Sequence, residues 1–476
     1  MSYGLYVGKN HTRDGHAWLG GYGDEPSSHW LEIKPRASHA PGTTITVGVT
    51  PQANMSGVLS TIPQAAETAR LIRVSYSHYQ GVPAPLTNGG LNEYGVAVRD
   101  IWSPSRAELK EMTPLDQKGP NYSDLARIVV ERARTAREGV ELIGSLIATH
   151  GYSTYGGNSH IVADPDEAWI VIEFAGGHGL WAAERVGPDD IRASRPGYIG
   201  LIPVEDPSHE DFLYCDNLTE PARAHGWWTP DTPFDLNAIY GDGKLRHDGV
   251  AWIEEQMRER AARPEKIGLE DMMWAVRTER LTGDTAGYGQ VVPLRHPEHT
   301  ALRLLWHTQI GAIAAPFVPV WLGVTQIPEE FRQHRYLTEG ESATFIDPVH
   351  VTRGEAGANS IVSQGIESTR SANAVFKRLL YLINQHHETY LPEVTAIWEA
   401  VEQRLDVVQQ CATRTAQLLL DAGEAELAGQ VLTYVTTTEL QKALELGETL
   451  AAGLEARTRA LHGFATAVTL GPDQTW

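Results

Sequence analysis

Short apolar segments of strand length, each ended by Gly, Asn, Asp or Pro, recur through the first half of the chain and restrict it to hairpins joined into antiparallel sheets. SYGLYVG and HAWLG read as one hairpin, with Asp14-Gly15 supplying the turn. RLIRVSY, GVAVRDIW, SHIVAD, EAWIVIEF and LWAAERV are further strands, punctuated by GGLNEYG, ADPDEAW and SRPGYIG. Between them SDLARIVVERARTAREGVELIGSLIATH carries apolar residues at helical spacing and predicts a pair of helices. Residues near 248 to 280 predict helix again, and TALRLLWH and PFVPVWLGV return to strand. From about residue 368 the pattern turns into long amphipathic helices with few breakers, whose apolar spacing is not a clean heptad. A helical region packed on the body follows, in preference to a coiled-coil partner. The expectation is an α+β protein with antiparallel sheets, organised as 1–367 and a C-terminal helical extension, 368–476.

The chain has 476 residues and a net charge of −21, enough length for a large core and an acidic surface that repels phosphate backbones and anionic lipid. Nucleic acid and membrane partners are therefore not expected. No run approaches the roughly 20 apolar residues of a membrane helix. The opening residues lack the apolar core of a secretory signal, so a cytoplasmic location is expected. Cys215 and Cys411 are the only cysteines, which excludes a disulfide framework and a thiolate zinc site. His386-His387 and the pair His296/His299 read as solvated or capping histidines, so neither a metal nor a cofactor is expected. Nucleophile-elbow, zinc-protease and glycine-rich nucleotide motifs do not occur.

Five segments in order carry a resemblance. These are SYGLYVGKNHTRDG at the start, GLNEYGVAV, GGNSHIVADPDEAWIVIE, PFVPVWLGVTQIPEEF, and SANAVFKRLLYLIN with VTAIWEA. Together they resemble the dipeptidase A family of cysteine-type peptidases, which implies the N-terminal-nucleophile αββα sandwich. The same resemblance implies a small peptide or N-acyl amide substrate. The sequence leaves association with further copies of the chain open.

Such an enzyme attacks an acyl carbon with the side chain of its first residue and moves the proton on that residue's own α-amine. Met1 precedes a small residue, the context in which it is ordinarily trimmed, and Ser2 then stands where the family carries its cysteine. The other reading of Ser2 is an ordinary second residue. If the first two strands pair about Asp14-Gly15, residues in the low to middle twenties lie opposite Ser2. Asp24, which the resemblance matches to a family aspartate, could then orient the ammonium; the alternative is a solvent-exposed GDEP turn.

The resemblance also marks departures. Cysteine is replaced by Ser2, and an arginine three residues before the aspartate is replaced by Gly21. An asparagine that helps form the oxyanion site is replaced by Ser194. Arg246 falls near a late active-site arginine of the relatives. Asn92 and Asn158 are oxyanion or pocket candidates, each beside glycine where a turn role competes, and Trp102 is a pocket-wall candidate. Cys215 reads as structural. The expected function is dipeptidase-like amide hydrolysis through an acyl-Ser2 intermediate. The alternatives are an acyltransferase or a catalytically silent binding or scaffold relative.

Overall fold

The computed structural model describes residues 2–23, 29–76, 82, 85–195, 198–282, 287–309, 312–332 and 370–463. The strands of the two large sheets and the helices of eight residues or more are numbered in chain order.

The predicted first hairpin is present. β1 (Tyr3–Val7) and β2 (Ala17–Tyr22) pair antiparallel with Tyr3 opposite Tyr22 and Gly4 opposite Gly21. Gly15 supplies the turn with φ of +69°, a conformation in which a side chain would be strained. The hairpin belongs to a six-stranded antiparallel sheet. Its other strands are β10 (Ile191–Ser194), β12 (Gly289–Leu294), β13 (Leu304–Thr308) and β14 (Val318–Trp321), in the order β10-β1-β2-β12-β13-β14.

The second sheet has eight strands. They are β3 (His29–Lys34), β4 (Leu71–Tyr76), β5 (Leu86–Asn92), β6 (Ala97–Trp102), β7 (Asn158–Ala163), β8 (Ala168–Glu173), β9 (Trp181–Val186) and β11 (Phe212–Tyr214). Spatial order is β11-β9-β8-β7-β6-β5-β4-β3, so nearly every neighbour in space is a neighbour in sequence, as hairpin chemistry requires.

The two sheets face each other. A Cβ on Gly4 would sit 3.0 Å from Ile101 of β6 and 2.8 Å from Ile161 of β7, which places the inner faces in contact. α1 (Tyr122–Arg132) and α2 (Ala136–His150) cover the outer face of the eight-stranded sheet. α3 (Asp248–Ala261) and α4 (Leu269–Arg277) cover the six-stranded sheet. The result is the expected αββα layering. Because each sheet lies between another sheet and helices, its central strands are buried on both faces, polar residues such as Asn88, Asp100 and His160 included.

The helices start where their caps say. Asn121 and Asp124 form a reciprocal capping box at α1, and Thr135 caps α2. Beyond the sheets, α5 (Ala372–Gln385), α6 (His387–Asp421) and α7 (Ala425–His462) pack on one another, with α6 and α7 against β14. No described helix is long and apolar enough to cross a membrane.

Candidate active site at the head of the first strand

Side chains alternate along β1. The Tyr3 hydroxyl turns outward and donates to the Ala275 carbonyl on α4, whereas Gly4 faces the opposite sheet. Ser2 therefore shares the inner side with Gly4, and it is only 8% exposed. Continuing the register by one step sets Ser2 opposite Gly23, whose backbone exchanges hydrogen bonds with the other flank: Gly23 N donates to the Tyr288 carbonyl, and Gly287 N donates to the Gly23 carbonyl. Asp24 is the next residue along the chain and lies outside the described residues. The hairpin argument holds as far as Gly23.

The β10 side of Ser2 is polar. Arg195 donates from Nη1 to the Ser2 carbonyl at 3.0 Å, and its guanidinium lies 5.8 Å from the centre of the Trp102 ring. Ser194 pairs with Gly4, and its hydroxyl is 3.3 Å from that of Ser159, which is 3.0 Å from that of Ser103. This row of buried hydroxyls runs between the sheets beside the first strand. Ser194 and Trp102 are thus brought to the neighbourhood of Ser2. Asn158 begins β7 opposite Trp102, with its amide donating to the Ser159 carbonyl at 3.1 Å.

Two candidates are placed elsewhere. Asn92 closes the far end of β5. Its amide donates to the Val130 and Ala133 carbonyls, and its oxygen accepts from the Tyr94 and Val96 amides. Every polar atom of that side chain is used in tying a turn to the end of α1, so the oxyanion reading of Asn92 is corrected to a structural one. Arg246 is likewise corrected. It pairs with buried Glu254, which also accepts from the Ala193 amide on the free edge of β10 (3.0 Å), from Tyr198 and from Arg258. That carboxylate blunts a sheet edge and holds Arg246 there.

Cys215 accepts from the Trp181 amide, and burial pushes its thiol up to about 11, the opposite of what a nucleophile needs. His296 and His299 form surface pairs with Asp166 and Asp421, the latter beside Glu298. Cavities of about 790, 410 and 350 Å³ formed by described residues lie away from Ser2.

Two arginines escaped the sequence reading. Arg195 follows Ser194 directly, but its contact with Ser2 depends on the pairing of strands far apart in the chain. Arg99 is fully buried on the inner face of β6 and lies against Gly21. No local pattern marks either one.

Residues 88–250 match the family model of peptidase family C69. A probable dipeptidase B from Lactococcus lactis subsp. lactis (strain IL1403) is 38% identical over 163 residues, 33% of this chain and 33% of that protein. A probable dipeptidase A from Streptococcus pyogenes serotype M3 (strain SSI-1) is 30% identical over 149 residues, 30% of this chain and 31% of that one. The chain is thus matched over about a third of the length of these curated relatives. A crystal structure of a mutant conjugated bile acid hydrolase from Clostridium perfringens superposes over 70% of this chain and 95% of that chain, at 11% identity and a TM-score of 0.30. The resemblance to the dipeptidase A family is borne out in the middle of the chain.

Proposed function

Taking the chain as a relative of peptidase family C69 through residues 88–250, we propose that it is an amide hydrolase of dipeptidase type acting through Ser2. The observation that carries this reading is the position of Ser2. Ser2 is buried at the head of β1, on the side that faces the second sheet, with an arginine on its carbonyl.

Once Met1 is removed, Ser2 bears both a hydroxyl and a free α-amine, whose ordinary pKa near 7.7 to 8 suits a general base at neutral pH. The Ser2 oxygen attacks the amide carbon and the α-amine takes the hydroxyl proton. Collapse of the tetrahedral intermediate returns that proton to the leaving amine and leaves an acyl ester on Ser2. Water, deprotonated by the same amine, then releases the acid. Arg195 holds the Ser2 backbone in place, and Asp24 is assigned to the ammonium form. Ser194, Asn158 and Trp102 are assigned to the walls around the acyl group. A serine hydroxyl is not ionised at neutrality as a thiol partly is, so the rate depends on the amine.

Intact-mass measurement and an acylating probe test the proposal. The expected results are a chain beginning at Ser2, one adduct on Ser2, and a loss of about three orders of magnitude or more in dipeptide turnover in Ser2→Ala. A retained Met1, or undiminished turnover in Ser2→Ala, overturns it. Absence of both adduct and turnover favours a catalytically silent relative.

A further inference from the structure

The inner face of the six-stranded sheet has a gap at Gly21, and an arginine from the opposite sheet enters it. A Cβ on residue 21 would lie 2.8 Å from Arg99 Nε and 3.2 Å from its Cδ, so any side chain there would displace the arginine. Past Gly21 the guanidinium continues to Tyr288, 4.9 Å from the ring centre. Tyr288 and Gly23 are joined by a backbone hydrogen bond, and Gly23 is the residue across from Ser2. The charge therefore rests on the same rung of the sheet as the nucleophile.

Arg99 is fully buried, and none of its three guanidinium nitrogens has a hydrogen-bond partner among the described residues. Asp100, next along β6, instead accepts from Asn88 at 2.6 Å. A buried guanidinium whose nitrogens bond to no described residue is unfavourable, and its fork matches an oxyanion held by two parallel bonds, which in an amide substrate is a carboxylate.

We infer that Arg99 anchors a carboxylate of the substrate, so that the site takes amides bearing a free α-carboxylate on the leaving side and discriminates against neutral amides. This rests on the reading of Ser2 as the nucleophile. Gly21 is a diagonal neighbour of Ser2, roughly 7 to 8 Å away in strand geometry. One residue spans about 3.3 to 3.6 Å. That separation corresponds to roughly one to two residues, so nucleophile and anchor can both reach one short substrate.

The test separates binding from turnover. The full-length Ser2→Ala chain is titrated calorimetrically with a panel of dipeptides and with the same dipeptides amidated at the C-terminus. The carboxylates are expected to bind at least tenfold more tightly. Arg99→Met, added to Ser2→Ala, should abolish that preference and raise the melting temperature, since it removes an unpaired buried charge. Arg99→Lys, which keeps the charge without the fork, should retain part of the preference. Equal binding of acid and amide by the Ser2→Ala chain overturns the inference, as does binding of neither. So does a lower melting temperature in Arg99→Met with the preference intact. If the acid preference holds and depends on Arg99 while Ser2→Ala still turns substrate over, the anchor stands and the Ser2 mechanism fails.

Discussion

His307 sits on β13 opposite Gln290 with no exposed surface, and its Nε2 lies 3.0 Å from the Gln309 side-chain oxygen. Burial pushes its pKa down to about 4 from an ordinary value of 6.5. The sign follows from which state binds the proton. Above pH 6.5 the ring is neutral folded or unfolded and costs nothing. Between about 6.5 and 4 the unfolded chain takes a proton that the folded one refuses, so stability falls as pH falls. At about 1.4 kcal/mol per unit the full effect is on the order of 3 kcal/mol. His307→Gln should therefore narrow the difference in urea midpoint between pH 7 and pH 4.5, and equal losses in both proteins would refute the assignment. Legibility was uneven at this scale. Ser2 and Ser194 could be singled out because each sits in a recognisable segment. Arg99 could not, because its significance lies in Gly21 being a residue without a side chain on another sheet.

The hairpins and helices were readable because their determinants are local. Asp14-Gly15 turns β1 into β2, and Asn121 with Asp124 starts α1, each within a few residues of what it controls. Pairings such as β1 with β10, and therefore the neighbours of Ser2, are set by packing between distant segments and left no local trace. Asn92 shows how an element-level role can resemble a site-level one. Beside glycine it looked like an oxyanion donor, yet its four hydrogen bonds fasten the β5–β6 turn to the end of α1. Asn92→Ala would leave buried donors and acceptors unpaired, for an expected loss of about 2–4 kcal/mol. Denaturant unfolding should show that loss while kcat/KM per folded molecule stays unchanged. A selective fall in kcat with unaltered stability would restore the catalytic reading.

Across the whole molecule, the junction between the sheets and the C-terminal helices turns on one buried carboxylate. Glu402 of α6 pairs with Arg277 at the end of α4, with one nitrogen at 2.9 Å, and accepts from the Phe317 amide at 2.7 Å just before β14. Arg277 also donates to the Ala312 carbonyl, so a single ion pair joins the helical region, a sheet-covering helix and the loop leading into the sheet. Glu402→Ala would leave a buried guanidinium uncompensated and the Phe317 amide without its acceptor, an expected cost of about 3–5 kcal/mol. Arg277→Met would strand the carboxylate at a similar cost. Since each single change is dominated by the partner left behind, the double variant Arg277→Met with Glu402→Leu should lose clearly less than the sum of the two. A four-way cycle in chemical denaturation measures this. With the junction intact, the sheets and helices should unfold in one transition, because neither can keep its half of the pair buried alone. Additive losses would mean that the two charges are solvated independently, and a wild-type profile with two separated transitions would mean that the helical region does not depend on this contact.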